Sequence, residues 1–100
     1  MPVPVLPISA AAADLVAAHD WYEQRSPGLG KDFVRMVDAA VAGIARQPEL
    51  FPAVHRGLRR VLIRRFPYAV FYRIDPDAVR LIAVLHVRMD FRRLAARSGN

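Results

Sequence analysis

The stretch LRRVLIRRFPYAVFYRIDPDAVRLIAVLHV, residues 58–87, decides the fold. It is rich in branched and aromatic side chains, the types that fit a pleated, half-buried surface. Phe66-Pro67-Tyr68 and Asp75-Pro76-Asp77 divide it into three segments, Leu58 to Phe66, Tyr68 to Asp75 and Ala78 to Val87. Proline and aspartate in these short breaks are turn residues. A parallel crossover needs a dozen or more residues, so breaks this short require hairpins, and the spacing predicts three antiparallel strands.

Working outward toward the N-terminus, the period changes from two to that of a helix. Beyond the Pro48 to Pro52 loop, Leu29, Phe33, Met36, Val37, Ala40 and Ile44 form an apolar stripe. Ser26-Pro27 suits the cap and first position of that helix, and Pro48 stops it near Gln47. A preceding helix, capped by Ser9 and running to about Arg25, places Ala11, Leu15, Ala18 and Tyr22 on one face. Two helices joined by so short a turn pack as a hairpin. Burying Phe33 or Leu15 between them and a sheet contributes roughly 1.5 to 3 kcal/mol each. The apolar run Val3 to Ile8 reads as an edge strand, because Pro2 and Pro4 both remove donors on one edge. The expectation is an α+β fold: an N-terminal edge strand, an antiparallel two-helix hairpin, then three antiparallel strands packed on the helices.

At 100 residues, 54% of them hydrophobic, the chain fits one domain, 1–100, with 98–100 as a frayed tail. A short basic helix or tail is expected over Asp90 to Arg97. The balance of 15 basic to 9 acidic side chains leaves +6, and Lys31 is the sole lysine, so nearly all the positive charge is guanidinium. Such a surface suits carboxylates or phosphates on an acidic protein or a nucleic acid. Cysteine is absent, which excludes disulfides and thiolate chemistry and agrees with a cytoplasmic location. No basic residue precedes the small-residue run Ala10 to Ala13, which argues against a secretion signal. No apolar run approaches the roughly 18 to 20 residues needed to cross a bilayer, so no membrane partner is expected.

The order of elements, and several local signatures, resemble the RelE/ParE superfamily of toxins, and the ParE branch in particular. They are Trp21-Tyr22-Glu23, Pro27-Gly28-Leu29-Gly30 before Phe33, the run Arg59-Arg60 through Arg64-Arg65-Phe66-Pro67-Tyr68 with Val70, Tyr72 and Arg73, and Ala83-Val84-Leu85-His86 leading to Arg88 and Asp90. Met89 and Phe91 stand where the family's Arg-Arg-Asp-Pro-like ending has arginine and proline. The resemblance implies the toxin of a type II toxin-antitoxin system, neutralised by a cognate acidic antitoxin, ParD-like and DNA-binding, through which alone it reaches operator DNA. ParE-like toxins inhibit DNA gyrase and block replication, causing growth arrest. RelE-like relatives cleave mRNA on the ribosome. A third alternative is an inactive toxin-fold module that only binds antitoxin.

Cleavage of RNA by its own 2′-hydroxyl needs a base, an acid and a cation converging on one phosphate. Arginine is too weakly acidic to serve as base, so the nuclease alternative leans on His86, with Arg88 two positions on and Arg64 or Arg65 nearby as catalytic residues and Tyr68 or Tyr72 as auxiliary acids. The binding alternative uses Trp21, the candidate exposed aromatic of helix one, with Arg59, Arg60, Arg64, Arg65, Tyr68 and Arg88 against an antitoxin or target. Alternation along a strand would send one guanidinium of each arginine pair to either sheet face. His19, His55 and His86 lack metal-ligand spacing, and Gly28 and Gly30 lack the strand and third glycine of a dinucleotide fingerprint, so no metal or cofactor is expected.

Overall fold

The computed structural model describes residues 3–88 together with 94, 96 and 97. The elements run β1 (Val5–Pro7), α1 (Ser9–Arg25), α2 (Leu29–Arg46), β2 (Ala53–His55), β3 (Leu58–Leu62), β4 (Tyr68–Ile74) and β5 (Val79–His86). The three expected strands are present and antiparallel, and β1 joins them parallel to β5. The resulting order is β1-β5-β4-β3-β2. One strand escaped the sequence reading. Ala53–His55 is only three residues long, too short for a period-two pattern, and is held by antiparallel pairing with β3.

β1 does lie at the edge, but for a different reason from the one the sequence suggested. Pro4 turns its carbonyl inward to accept the Val79 N–H at 2.9 Å, and Ile8 N–H reaches Leu81 O at 3.0 Å. Residues 4, 6 and 8 therefore face β5, and Pro7 is the proline whose missing donor lies on the outer edge.

The helical hairpin covers one face of the sheet. Ala11 and Ala18 of α1 and Phe33, Val37 and Ile44 of α2 are buried with Val61, Val70, Tyr72, Val79, Leu81 and Val84. A glycine on α2 lets the two helices approach closely. At Gly30 an added Cβ would stand 2.7 Å from the His19 backbone oxygen, so only glycine fits. The turn departs from the serine caps read in the sequence. Ile8, not Ser9, is the N-cap of α1, and it has no side-chain cap hydrogen bond. The N-cap of α2 is Gly28, at φ +89°, a left-handed conformation that glycine adopts without steric cost. Its open N–H groups are satisfied from the neighbouring helix: the Glu23 carboxylate accepts Gly28 N–H at 2.9 Å and Gly30 N–H at 3.0 Å. A Ser26 cap is unnecessary once a carboxylate occupies the positive end of the helix. These hydrogen bonds hold the Glu23 pKa below the usual carboxylate range.

The opposite face of the sheet is apolar too. Leu58, Ala69, Phe71, Ile82, Ala83 and Leu85 form a second buried cluster, completed by Leu94 from the C-terminal segment. Leu94, Ala96 and Arg97 are helical, as expected for the C-terminal stretch; Met89, Asp90 and Phe91 and the 98–100 tail lie outside the described residues. In β5, Phe71 pairs with Ala83 but Tyr72 with Leu81, leaving Ile82 as a bulge. Leu81 and Val84 both face the helices while Ile82 and Ala83 both face away, so the bulge resets the alternation of β5.

Two tests follow from the hairpin. Gly30→Ala is expected to lower stability by about 1 to 3 kcal/mol through the clash with the His19 backbone. Gly43→Ala, whose Cβ would meet the Phe51 ring at an ordinary 3.6 Å, is expected to be neutral or stabilising. Thermal unfolding of the two variants checks the contrast. Because Glu23 has a depressed pKa in the folded chain, its stabilisation is complete above the ordinary glutamate value of 4.5 and is lost as pH falls through the lower folded value. Glu23→Gln is therefore expected to flatten the acid limb of the stability profile, measured by urea unfolding from pH 6 downward.

Candidate functional site

An aromatic cluster binds the end of α1 to the start of α2 and to the turn between β3 and β4. Tyr22 stacks on Phe33 at 5.4 Å and meets Phe66 edge-on at 4.8 Å, while Tyr68 meets Phe33 at 5.0 Å and His86 at 5.5 Å. Trp21 stands at its margin. Its ring lies edge-to-face with Tyr22 at 5.0 Å, carries the Arg25 guanidinium 3.3 Å from its centroid, and remains 48% exposed. Trp21 is thus the exposed member of the pair, as the sequence indicated.

Between α1 and the end of β5 the cluster opens into a pocket of about 240 Å³ lined by Asp14, Ala17, Trp21, Tyr68, Val84 and His86. The bulge at Ile82 is what brings His86 to this side, opposite Tyr68 in register. Burial, and then the negative charge of Asp14, push the Tyr68 pKa up, so its hydroxyl keeps its proton at neutral pH. Arg88 does not follow His86 along the strand as expected. β5 ends at His86, and the Arg88 backbone N–H turns back to donate to His86 Nδ1 at 3.2 Å. With Nδ1 accepting, the neutral imidazole carries its hydrogen on Nε2.

Asp14 was not among the sequence candidates, yet it organises this wall. One carboxylate oxygen accepts the Val84 N–H at 3.0 Å, and Arg97 grips both oxygens, with Nη2 at 3.0 Å from Oδ1 and Nη1 on Oδ2. Val84 lies on β5 beyond the reach of the three-residue β1, so Asp14 satisfies an edge donor while anchoring the C-terminal segment. The available signal was a lone acid in the otherwise apolar run from Ala10 to Ala18. Its partners stand 70 and 83 residues away, so the run alone did not name them.

The remaining arginines are dispersed. Arg59 faces the helices beside Tyr72 and donates to the carbonyls of Phe51 at 2.6 Å and Glu49 at 3.1 Å, tying down the loop before β2. Tyr72 holds the same loop through a hydroxyl bond to Pro48 O. Arg60 lies on the opposite face beside Phe71. Arg64 and Arg65 do not alternate across a sheet, since β3 stops at Leu62 and Arg65 adopts φ +72°. Arg65 reaches Asp32 of α2 at 3.7 Å, and Arg64 lies beside Met36 and Ala40. Of the sequence-selected residues, the fold brings together Trp21, Tyr68 and His86 with Arg88 close by, and leaves Arg59, Arg60, Arg64 and Arg65 elsewhere. Among the described residues no group of three His, Asp or Glu side chains is arranged to hold a metal ion.

This architecture is that of the small α+β toxins. The family model described as the ParE toxin of type II toxin-antitoxin system, parDE, matches residues 9–91. Toxin ParE2 of Mycobacterium tuberculosis, in strains CDC 1551 / Oshkosh and ATCC 25618 / H37Rv, is 30% identical over 74 residues, covering 73% of this chain and 70% of that protein. Among solved structures, the chromosomal ParDE system of P. aeruginosa aligns with a TM-score of 0.75 at 19% identity, over 84% of this chain and 95% of that one. The toxin-antitoxin complex RelBE2 of M. tuberculosis aligns at 0.57 and 24% identity, over 86% and 99%. The chain belongs to the ParE family of type II toxin-antitoxin toxins.

Asp14→Ala would leave the Val84 N–H and the Arg97 guanidinium without their acceptor, at an expected cost of about 1 to 3 kcal/mol. Asp14→Asn keeps an acceptor and is expected to cost less. Urea unfolding measures both.

Proposed function

We propose that the chain acts in the cytoplasm as a single-domain toxin that binds DNA gyrase and blocks replication without bond-breaking chemistry of its own, until an acidic, DNA-binding antitoxin neutralises it. The observation that carries this reading is that Arg64 and Arg65, the arginines a ribonuclease would add to His86, Tyr68 and Arg88 around one phosphate, lie elsewhere, as do Arg59 and Arg60. His86 lies on the α1 side of the sheet beside Tyr68, Arg65 is engaged with Asp32 on α2, and Arg59 is committed to backbone carbonyls. Lys31, the sole lysine, lies exposed on α2. Family membership supports the toxin role. The printed descriptions of the two structural neighbours, a ParDE system and a toxin-antitoxin complex, support an antitoxin partner. The +6 charge, carried almost wholly by arginine, favours a carboxylate-rich one.

The test is to incubate the purified chain with gyrase and relaxed plasmid, and in parallel with ribosomes programmed with mRNA. The binder reading expects loss of supercoiling or accumulation of cleaved DNA, with ribosome-bound mRNA intact. Cleavage of the mRNA with gyrase unaffected would replace it with the endonuclease reading and return attention to His86. Inertness in both assays, together with harmless expression in the absence of antitoxin, would favour a module that only binds antitoxin.

A further inference from the structure

The pocket beside Trp21 has an uneven hydrogen-bonding inventory. Three of its lining residues carry donors, the Tyr68 hydroxyl, the Trp21 indole N–H and the His86 Nε2–H, and none of these donors has an acceptor among the described residues. The one carboxylate in the wall, Asp14, is already occupied by Val84 N–H and by both Arg97 nitrogens, which also offset its charge. Ala17, Val84 and Leu85 supply the apolar remainder. Two guanidinium groups belong to neighbouring residues: Arg25, lying on Trp21, and Arg88, whose backbone is bonded to His86. An occupant must therefore bring acceptors, and the flanking cations favour one that is negatively charged.

We propose that this pocket receives a single carboxylate side chain, Asp or Glu, from an acidic peptide segment of a protein partner, and that Arg97 keeps it receptive by neutralising Asp14. The identity of the partner as an antitoxin rests on the functional reading above; the chemistry of the pocket does not. Its volume of about 240 Å³ accommodates one side chain and falls below the roughly 300 Å³ at which small-molecule sites begin. A peptide side chain thus fits better than a nucleotide with its base and sugar. The raised pKa of Tyr68 keeps its hydroxyl a donor at neutral pH. Without Arg97, the bare Asp14 carboxylate would face the incoming acid and repel it.

Trp21 is the only tryptophan, so its fluorescence and its indole N–H resonance report on this pocket alone. The full chain is titrated with three twelve-residue peptides that differ only in carrying Glu, Gln or Lys at the same positions, and with a single-stranded RNA oligomer. The Glu peptide is expected to perturb Trp21 at least tenfold more tightly than the Gln peptide. Tyr68→Phe and His86→Phe are each expected to weaken the Glu peptide about tenfold, as loss of a hydrogen bond to a charged group does. Arg97→Gln should weaken the Glu peptide and improve the Lys peptide; if that variant fails to fold, Asp14→Asn should spare the Glu peptide and still disfavour Lys. Tightest binding of the Lys peptide, stronger competition by RNA, or equal binding of all three peptides would overturn the proposal. A cognate antitoxin that binds wild type and Tyr68→Phe equally would sink the pocket while leaving the toxin reading intact. Binding of the Glu peptide by a chain that no antitoxin recognises would do the reverse.

Discussion

β4 and β5 are apolar on both faces, and a strand pair of that kind is stable only if both faces are kept from water. Val70, Tyr72, Leu81 and Val84 project toward the helices, while Ala69, Phe71, Ala83 and Leu85 project the other way. The hairpin of α1 and α2 covers the first set. The second would form a contiguous apolar patch of the kind soluble chains rarely leave open, and Leu94 packs into it with no exposed surface. Leu94 is therefore part of the core. At the β4–β5 turn, away from His86, Arg73 and Arg80 converge on Asp75 at 2.7 and 3.5 Å, closing that end with ion pairs and holding the Asp75 pKa below its usual range, chiefly through the Arg73 hydrogen bond.

The need to cover both faces explains the placement of Asp14. α1 runs on one side of the sheet and Leu94 packs on the other, and Arg97 meets α1 where β1 ends and leaves the Val84 N–H of β5 without a strand partner. A single carboxylate there satisfies the strand edge, joins both covers and forms one wall of the only pocket among those described that combines Trp21, Tyr68 and His86. Strand-edge, interlayer and pocket-lining contacts converge on this residue because the edge is where the layers come together.

Much of the architecture was legible because it rests on local chemistry. Phe66-Pro67-Tyr68 and Asp75-Pro76-Asp77 mark turns by fixing or favouring backbone angles, and the apolar stripes at helical spacing mark buried faces. The signatures around Glu23 and Pro27 to Gly30 also have physical content: Glu23 caps the next helix, Gly28 takes a left-handed angle and Gly30 admits the close helix contact. What local reading misassigned were the competitors for the same job. Serine was the expected cap, but a carboxylate from the neighbouring helix supplies the acceptor. Proline at position 4 was the expected edge guard, but its carbonyl is consumed by β5. β2 offered too few residues for any periodicity to emerge.

The sequence by itself determined the α+β class, the helix hairpin, the antiparallel strands and the resemblance to the ParE toxins, since each follows from turn chemistry, periodicity and local signatures. Tertiary structure decided which side chains share a site. Side chains alternate along a strand with a period of two, so the one unpaired residue at Ile82 returns Val84 and His86 to the helical side and turns Ala83 and Leu85 away from it. The early end of β3 in the same way removes Arg64 and Arg65 from any alternating pattern. The pairing of Asp14 with Arg97, across 83 residues, exists only because the two covers of one sheet meet at its edge, and no local pattern along the chain encodes that meeting.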